Sequence, residues 1–195
     1  MHDHSQRREQ MPLPEITLIE SRRVRLRPVA ETDLPALLEI NGDPEVTRFL
    51  PYATWQSLAD GSAWLRRMEA LSGAGTGRQL VIERRTDSRV VGTFLLFRYE
   101  EPSGRAEVGY VLGRAHWRQG LMREALGAVC AHAFGSLGLR RLEAEADPLN
   151  VPSCRLLVDA GFQLEGRLRQ RWVTKGVAND TNLYGFLVDD VRSAS

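Results

Sequence analysis

The sequence predicts an α/β (α+β) fold: a mixed, mostly antiparallel central sheet flanked by helices on both faces. Three observations lead there. Residues 79–83, 90–99 and 105–112 are strand-like segments joined by short polar connections, the arrangement of an antiparallel meander. Within 106–112 the chain alternates, with Val108, Tyr110 and Leu112 on one face and Glu107, Gly109 and Val111 on the other. From Gly120 the apolar residues Leu121, Met122, Ala125, Leu126, Val129 and Phe134 recur at helical spacing, and residues 141–146 form another strand that such a helix can return parallel to 105–112. Within the meander, 90–99 carries large apolar residues on both faces, so it is a central strand covered by helices.

Each element has its own local cause. Residues 1–15 are polar, unpatterned and carry two prolines, which predicts a flexible arm ahead of one domain over 16–190. His2 and His4 on that arm have no third ligand at usable spacing, so no metal site is predicted. Residues 17–27 alternate around Val24 and Leu26 as a first strand, with Arg23, Arg25 and Arg27 on a solvated face or, alternatively, facing a phosphate or acidic partner. A short helix over 33–40 is stopped by Asn41-Gly42, and a longer one over 54–71 carries Trp55, Leu58, Trp64, Leu65 and Met68 on its apolar side. Trp55 and Trp64, near Pro51 and Tyr52, are either core aromatics or the wall of a cleft. Residues 72–77 are a flexible loop, too short for an interdomain linker. Asn150-Val151-Pro152-Ser153 opens a short helix with cap chemistry and an early proline, and Ala160-Gly161-Phe162 closes it. Residues 164–169 and 181–189 predict a closing hairpin, with 171–179 as an irregular excursion between its arms.

Composition narrows the function classes. At 195 residues and 43% hydrophobic, the chain fills one domain. With 26 basic and 25 acidic residues the formal charge is +1, so no bulk field recruits nucleic acid or an anionic membrane. No apolar run approaches the length of a membrane span, and no hydrophobic segment follows the start as in a secretory signal. Cys130 and Cys154 both fall in helical patterns, which fits free thiols in a reducing cytoplasm better than a disulfide or a nucleophile.

Between strand and long helix lies His116-Trp117-Arg118-Gln119-Gly120. Its glycine lets backbone amides approach a ligand, and the unpaired amides of the new helix attract an anion. A plain strand-to-helix connection needs the same glycine, so the turn alone leaves both readings open. Tyr110-Val111-Leu112 and the run from Trp117 to Ala125 resemble the acetyl-coenzyme A segment of the GCN5-related N-acetyltransferases (GNAT), in particular the RimJ/RimL-like branch that acetylates ribosomal-protein N-termini. There the turn reads approximately Trp-Gly-Lys-Gly-Tyr-Ala-Thr-Glu-Ala, and Trp117, Gly120, Glu124 and Ala125 match it. Arg118 stands where the family has its first glycine, which disfavours a positive φ but adds charge beside a phosphate. Met122 replaces a small residue and would crowd the pyrophosphate if it faced inward. The resemblance implies that the amides of Arg118, Gln119, Gly120, Leu121, Met122 and Arg123, beside Trp117, hold the pyrophosphate of acetyl-CoA. It also implies that Tyr110, Val111 and Leu112 pair with the pantetheine arm as with an added strand, and that the parallel strand pair splays apart there.

A second stretch resembles the same family. Its pattern Asn-x-x-Ser-x-x-x-Leu-x-x-x-Gly-Phe-x-x-Glu-Gly is met at Asn150, Ser153, Leu157, Gly161, Phe162, Glu165 and Gly166, extending the resemblance over residues 24–188. The implied reaction is acetyl transfer from acetyl-CoA to a primary amine, with a protein N-terminus such as that of a ribosomal protein as acceptor. A small-molecule amine (amino sugar, polyamine or amino-acid-like) is the alternative acceptor, and a non-catalytic acetyl-CoA-binding module the alternative function. A monomer or homodimer fits either. Many members place at position 157 a tyrosine that protonates the leaving thiolate; leucine cannot, and the resemblance passes that role to Ser153. Proton removal from the amine needs a carboxylate, for which Glu107 is favoured over a plain surface role in pairing with a neighbouring strand. Asn150 is either a coenzyme or water ligand by resemblance, or a simple helix cap.

Overall fold

In the computed structural model, which describes residues 11–193, the chain begins with a two-strand hairpin, β1 (Ile19–Glu20) and β2 (Val24–Pro28), followed by helices α1 (Leu34–Asn41), α2 (Pro44–Thr47) and α3 (Leu58–Gly73). The meander β3 (Arg78–Arg84), β4 (Arg89–Glu100) and β5 (Arg105–Leu112) leads into helix α4 (Leu121–Gly135) and strand β6 (Arg141–Ala146). Helix α5 (Val151–Asp159), the hairpin β7 (Gln163–Thr174) and β8 (Val177–Leu187), and α6 (Val188–Ser193) complete it. The eight strands form one sheet in the order β1-β2-β3-β4-β5-β6-β8-β7. Only β5 and β6 run parallel; every other neighbour is antiparallel.

The two faces bury separate sets of side chains. On one, Leu34, Leu37, Ile40, Trp55, Trp64 and Leu65 cover Val81 and Val90. On the other, Leu121, Ala125, Leu126, Val129 and Ala133 of α4 and Leu157 of α5 pack with Leu26, Ile82, Phe94, Leu96, Val108 and Leu142. Leu80 and Val81, adjacent in β3, point to opposite cores, as the pleat requires. Each such side chain contributes about 1.5–3 kcal/mol when fully buried. Trp55 and Trp64 therefore belong to the core, with ring centroids 5.6 Å apart.

Four expectations are corrected. Residues 17–27 are two strands, because Ser21 folds back and bonds the Val24 carbonyl through both its amide and its hydroxyl. The arginines of that stretch are part-exposed but ion-paired rather than free in solvent: Arg25 and Arg27 both bond the buried Glu83, and Arg27 also grips the buried Asp33 at 2.8 and 2.9 Å. Burial alone would raise the Glu83 carboxyl, but the two guanidiniums hold it below its ordinary value. Of the expected arm, residues 1–10 lie outside the described residues, whereas Leu13 is fully buried and its carbonyl is held by Arg78. Residues 171–179 continue the β7–β8 ladder to a turn at Lys175-Gly176. This edge strand has almost no buried positions, so it carries no alternation to read.

The feature that positions the site is where β5 and β6 diverge. Their pairing covers Arg105–Arg141, Ala106–Leu142 and Glu107–Glu143 and then stops. Beyond it β5 stays paired to β4 as far as Leu112, and β6 to β8 as far as Ala146. Each strand is held by its outer neighbour while a wedge opens between them, as the sequence implied.

Candidate functional site

The turn into α4 forms one wall of the wedge. Gly120 caps the helix at φ 73 with no side-chain cap, so the helix geometry leaves the amides of Leu121, Met122 and Arg123 without intrahelical acceptors. Arg118 also adopts a left-handed φ, 58. Position 118 thus holds a conformation that glycine adopts without strain, at a cost of order 1 kcal/mol, and carries a guanidinium as well. Met122 is buried with Leu121 in the core, so it does not crowd the turn. Trp117 packs its indole back onto β5, donating Nε1–H to the Leu112 carbonyl at 2.7 Å. The Gln119 side chain donates to the Ala115 carbonyl at 2.9 Å and closes the turn.

Glu124, one turn into α4, ties this wall to the first hairpin. It accepts from the Arg23 amide (2.5 Å), the Arg23 Nε (2.6 Å) and the Ser21 hydroxyl (2.7 Å), while Arg23 Nη1 donates to the Gln119 carbonyl at 2.9 Å. Against the effect of burial, these donors hold the Glu124 carboxyl down to about 2. Arg23 is a site residue that the sequence did not single out as such.

The second wall is the start of α5. Asn150 accepts the Ser153 amide at 3.3 Å, so its side chain does act as a helix cap. Arg118, Val151, Pro152, Arg155, Leu156 and Asp159 line an open groove of about 460 Å³ between the turn and α5. Two guanidiniums beside unpaired amides fit a pyrophosphate. Within the wedge, on the α4/α5 side, the Tyr110 and Ser153 hydroxyls hydrogen-bond at 2.9 Å. Burial pushes the Tyr110 phenol up to about 12, with the Ser153 bond opposing, so it is a neutral donor at ordinary pH. Leu157 is buried beneath. The sequence placed Tyr110 here through its backbone and as one of the protic side chains of the cleft, but its pairing with Ser153 was not visible because the partners are 43 residues apart.

Glu107 lies on the opposite face, at the last paired position before the wedge. It is 7% exposed, and its Oε2 accepts from Arg98 Nη1 at 2.7 Å. Burial raises its carboxyl above the ordinary value, Arg98 pulls it down, and Glu145 and Glu143 push it up again, with a net rise. Glu107 is therefore a buried carboxylate with a raised pKa, paired with Arg98 of the neighbouring strand, and not a surface group. His116 is buried behind the turn against Gly113, and burial lowers its pKa, so it packs rather than faces the wedge. Cys130 and Cys154 are unpaired thiols; burial pushes Cys130 up to about 12. Among the described residues there is no metal-binding cluster and no helix long and apolar enough to cross a membrane.

The same arrangement recurs in known proteins. Residues 23–163 match the family model of the acetyltransferase (GNAT) domain. The uncharacterized N-acetyltransferase p20 of Bacillus licheniformis is 33% identical over 85% of this chain and 93% of its own. The ribosomal-protein-serine acetyltransferase of Escherichia coli is 32% identical over 53% of this chain and 59% of its own. The crystal structure of a GCN5-related N-acetyltransferase from Brucella melitensis superposes with a TM-score of 0.83 at 26% identity, covering 93% of this chain and 83% of that one. A strand pair that diverges beside an uncapped helix start, a family model spanning most of the chain and a relative matched nearly end to end agree on one conclusion: the chain belongs to the GNAT superfamily and is an acetyl-CoA-dependent acetyltransferase.

Proposed function

We propose that the chain acetylates a primary amine, foremost the N-terminal amino group of a protein such as a ribosomal protein, and that Glu107 and Ser153 carry the proton transfers. The observation that carries this reading is the wedge itself, with an ionisable carboxylate on one face and a hydroxyl pair on the other. Bound acetyl-CoA supplies the acyl group as a thioester; everything else is proton management by the chain. Glu107 receives the proton of the attacking amine, directly or through water. Ser153, at a helix start and backed by the Tyr110 hydroxyl, donates toward the departing sulfur, where the helix amides favour negative charge. The coenzyme is held by the amides of residues 118–123 with Arg118 and Arg155 beside its phosphates, and by the edge of Tyr110–Leu112 that β6 leaves unpaired, where the Leu112 carbonyl already accepts from Trp117.

The choice of a protein N-terminus rests on the similarity to the E. coli ribosomal-protein-serine acetyltransferase and on Leu157, which leaves Ser153 as the hydroxyl of the motif. The test is release of coenzyme A thiol with a panel of free-amine peptides, N-blocked peptides, spermidine and glucosamine, with mass spectrometry locating the acetyl group. Turnover with free-amine peptides modified at the terminal nitrogen is the expected result. Preference for spermidine or glucosamine would move the chain to the small-amine reading, and absence of transfer to any amine would favour a binding module.

A further inference from the structure

The face of the sheet that carries Glu107 holds a side chain placed by unusual backbone. Between Phe97 and Glu100 the β4–β5 register slips, and in that bulge Arg98 takes a left-handed φ of 50. A non-glycine residue holds such a conformation only when its surroundings impose it. Bulges of this kind re-aim a side chain, and here the guanidinium is aimed across the start of the wedge. Nη1 donates to Glu107 at 2.7 Å and to Glu145 of β6 at 3.3 Å. Glu145 is itself fixed by the Trp172 indole of β7, which donates to it at 2.6 Å, and the guanidinium stands 5.5 Å from the Phe97 ring and 5.8 Å from that of Trp172. One cation from β4 is thus locked over a carboxylate of β5 by partners from β6 and β7.

The neighbouring charges are committed elsewhere. Arg105, on the strand of Glu107, bonds Glu100 and Glu143. Arg141 bonds Glu143 and Glu165. Arg171 stacks on Trp172. Among the described residues, the cation bonded to Glu107 is Arg98, while Glu143 and Glu145 bring like charge toward it from β6.

Resting on the reading of Glu107 as the base, we propose that Arg98 is a positioning residue: its guanidinium orients the Glu107 carboxylate toward the wedge and supplies the counter-charge that keeps it ionised ahead of the acceptor. The strained φ is the cost of that aim. Glycine at 98 keeps the backbone and removes the cation, and lysine returns a cation without the fork, which separates the role from simple sheet stability.

The experiment follows the Glu107 carboxyl by carbon NMR across pH in the free wild-type, Arg98→Gly and Arg98→Lys proteins, assigned with Glu107→Gln. Acetyl-CoA binding and the pH profile of turnover are measured in parallel. Loss of an opposite charge at this range raises a carboxyl by about one pH unit or more. The expected result is therefore an upward shift of that size in Arg98→Gly, a smaller one in Arg98→Lys, an acidic limb of turnover displaced in step, and unchanged coenzyme affinity. An unmoved Glu107 titration in Arg98→Gly overturns the proposal. So does a moved titration with an unmoved acidic limb. If no amine is acetylated at all, the base assignment falls, while the NMR titration still decides whether Arg98 governs the Glu107 charge.

Discussion

At the scale of the residue, the account depends on protons being held at particular atoms. Ser153→Ala removes the hydroxyl aimed at the leaving sulfur, and steady-state kinetics are expected to show a fall in kcat of roughly 10- to 100-fold with acetyl-CoA affinity preserved. Tyr110→Phe keeps the ring and deletes only its 2.9 Å bond to Ser153, so its effect on kcat is expected to be smaller than that of Ser153→Ala. The pH dependence has a definite sign. Burial and the β6 glutamates raise the Glu107 carboxyl net of Arg98, so turnover is present above that raised value and lost as pH falls through it. Glu107→Gln is expected to flatten that acidic limb. Much at this scale was legible. A strand period and a helix start fix where Glu107, Ser153 and Gly120 lie, whereas the roles expected of Ser153 and Gly120 came from the family resemblance. Arg98 could not be picked out, since its placement depends on a bulge that no local pattern announces, and neither could Arg23, whose partner Glu124 is 101 residues away.

At the scale of the element, the turn into α4 is where sequence and structure meet most closely. A β-branched residue cannot hold the φ of 73 found at Gly120, and its Cβ would stand 3.2 Å from Arg23 Nη2. Gly120→Val is therefore expected to weaken acetyl-CoA binding more than tenfold, over ~1.4 kcal/mol, in calorimetry. Unchanged affinity would place the phosphates elsewhere. The Glu124 link makes a separate claim about stability. Its carboxyl is held down to about 2 by Arg23 and Ser21, so it contributes in full above the ordinary glutamate range and loses that contribution as pH falls toward 2. Urea unfolding should find Glu124→Gln less stable by about 1–3 kcal/mol at pH 7, with the gap closing as the solution is acidified. The elements that escaped the sequence reading share a cause. The hairpin at Ser21 and the β7–β8 turn are set by hydrogen bonds across short polar stretches, and a wetted edge strand leaves no apolar period to follow.

At the scale of the whole molecule, two cores on opposite faces hold a sheet that opens between β5 and β6. The fold class, the central position of β4 and the parallel return of β6 were readable because they follow from short connections and from apolar residues on both sides of one strand. That the opening comes directly after Glu107 was not, because the register of β5 on β6 depends on the outer neighbours that keep each strand paired. The Lys175 ammonium at the hairpin tip reaches the Thr47 carbonyl of α2 at 2.7 Å, so the far end of the sheet is tied back to the helices of the other half. The most direct test of the central claim is kcat for acetyl transfer to a free-amine peptide at saturating acetyl-CoA, wild type against Glu107→Gln. The account predicts a fall of roughly 10- to 100-fold with coenzyme affinity intact. An unchanged kcat would contradict it, and the enzyme would then work by positioning an already neutral amine.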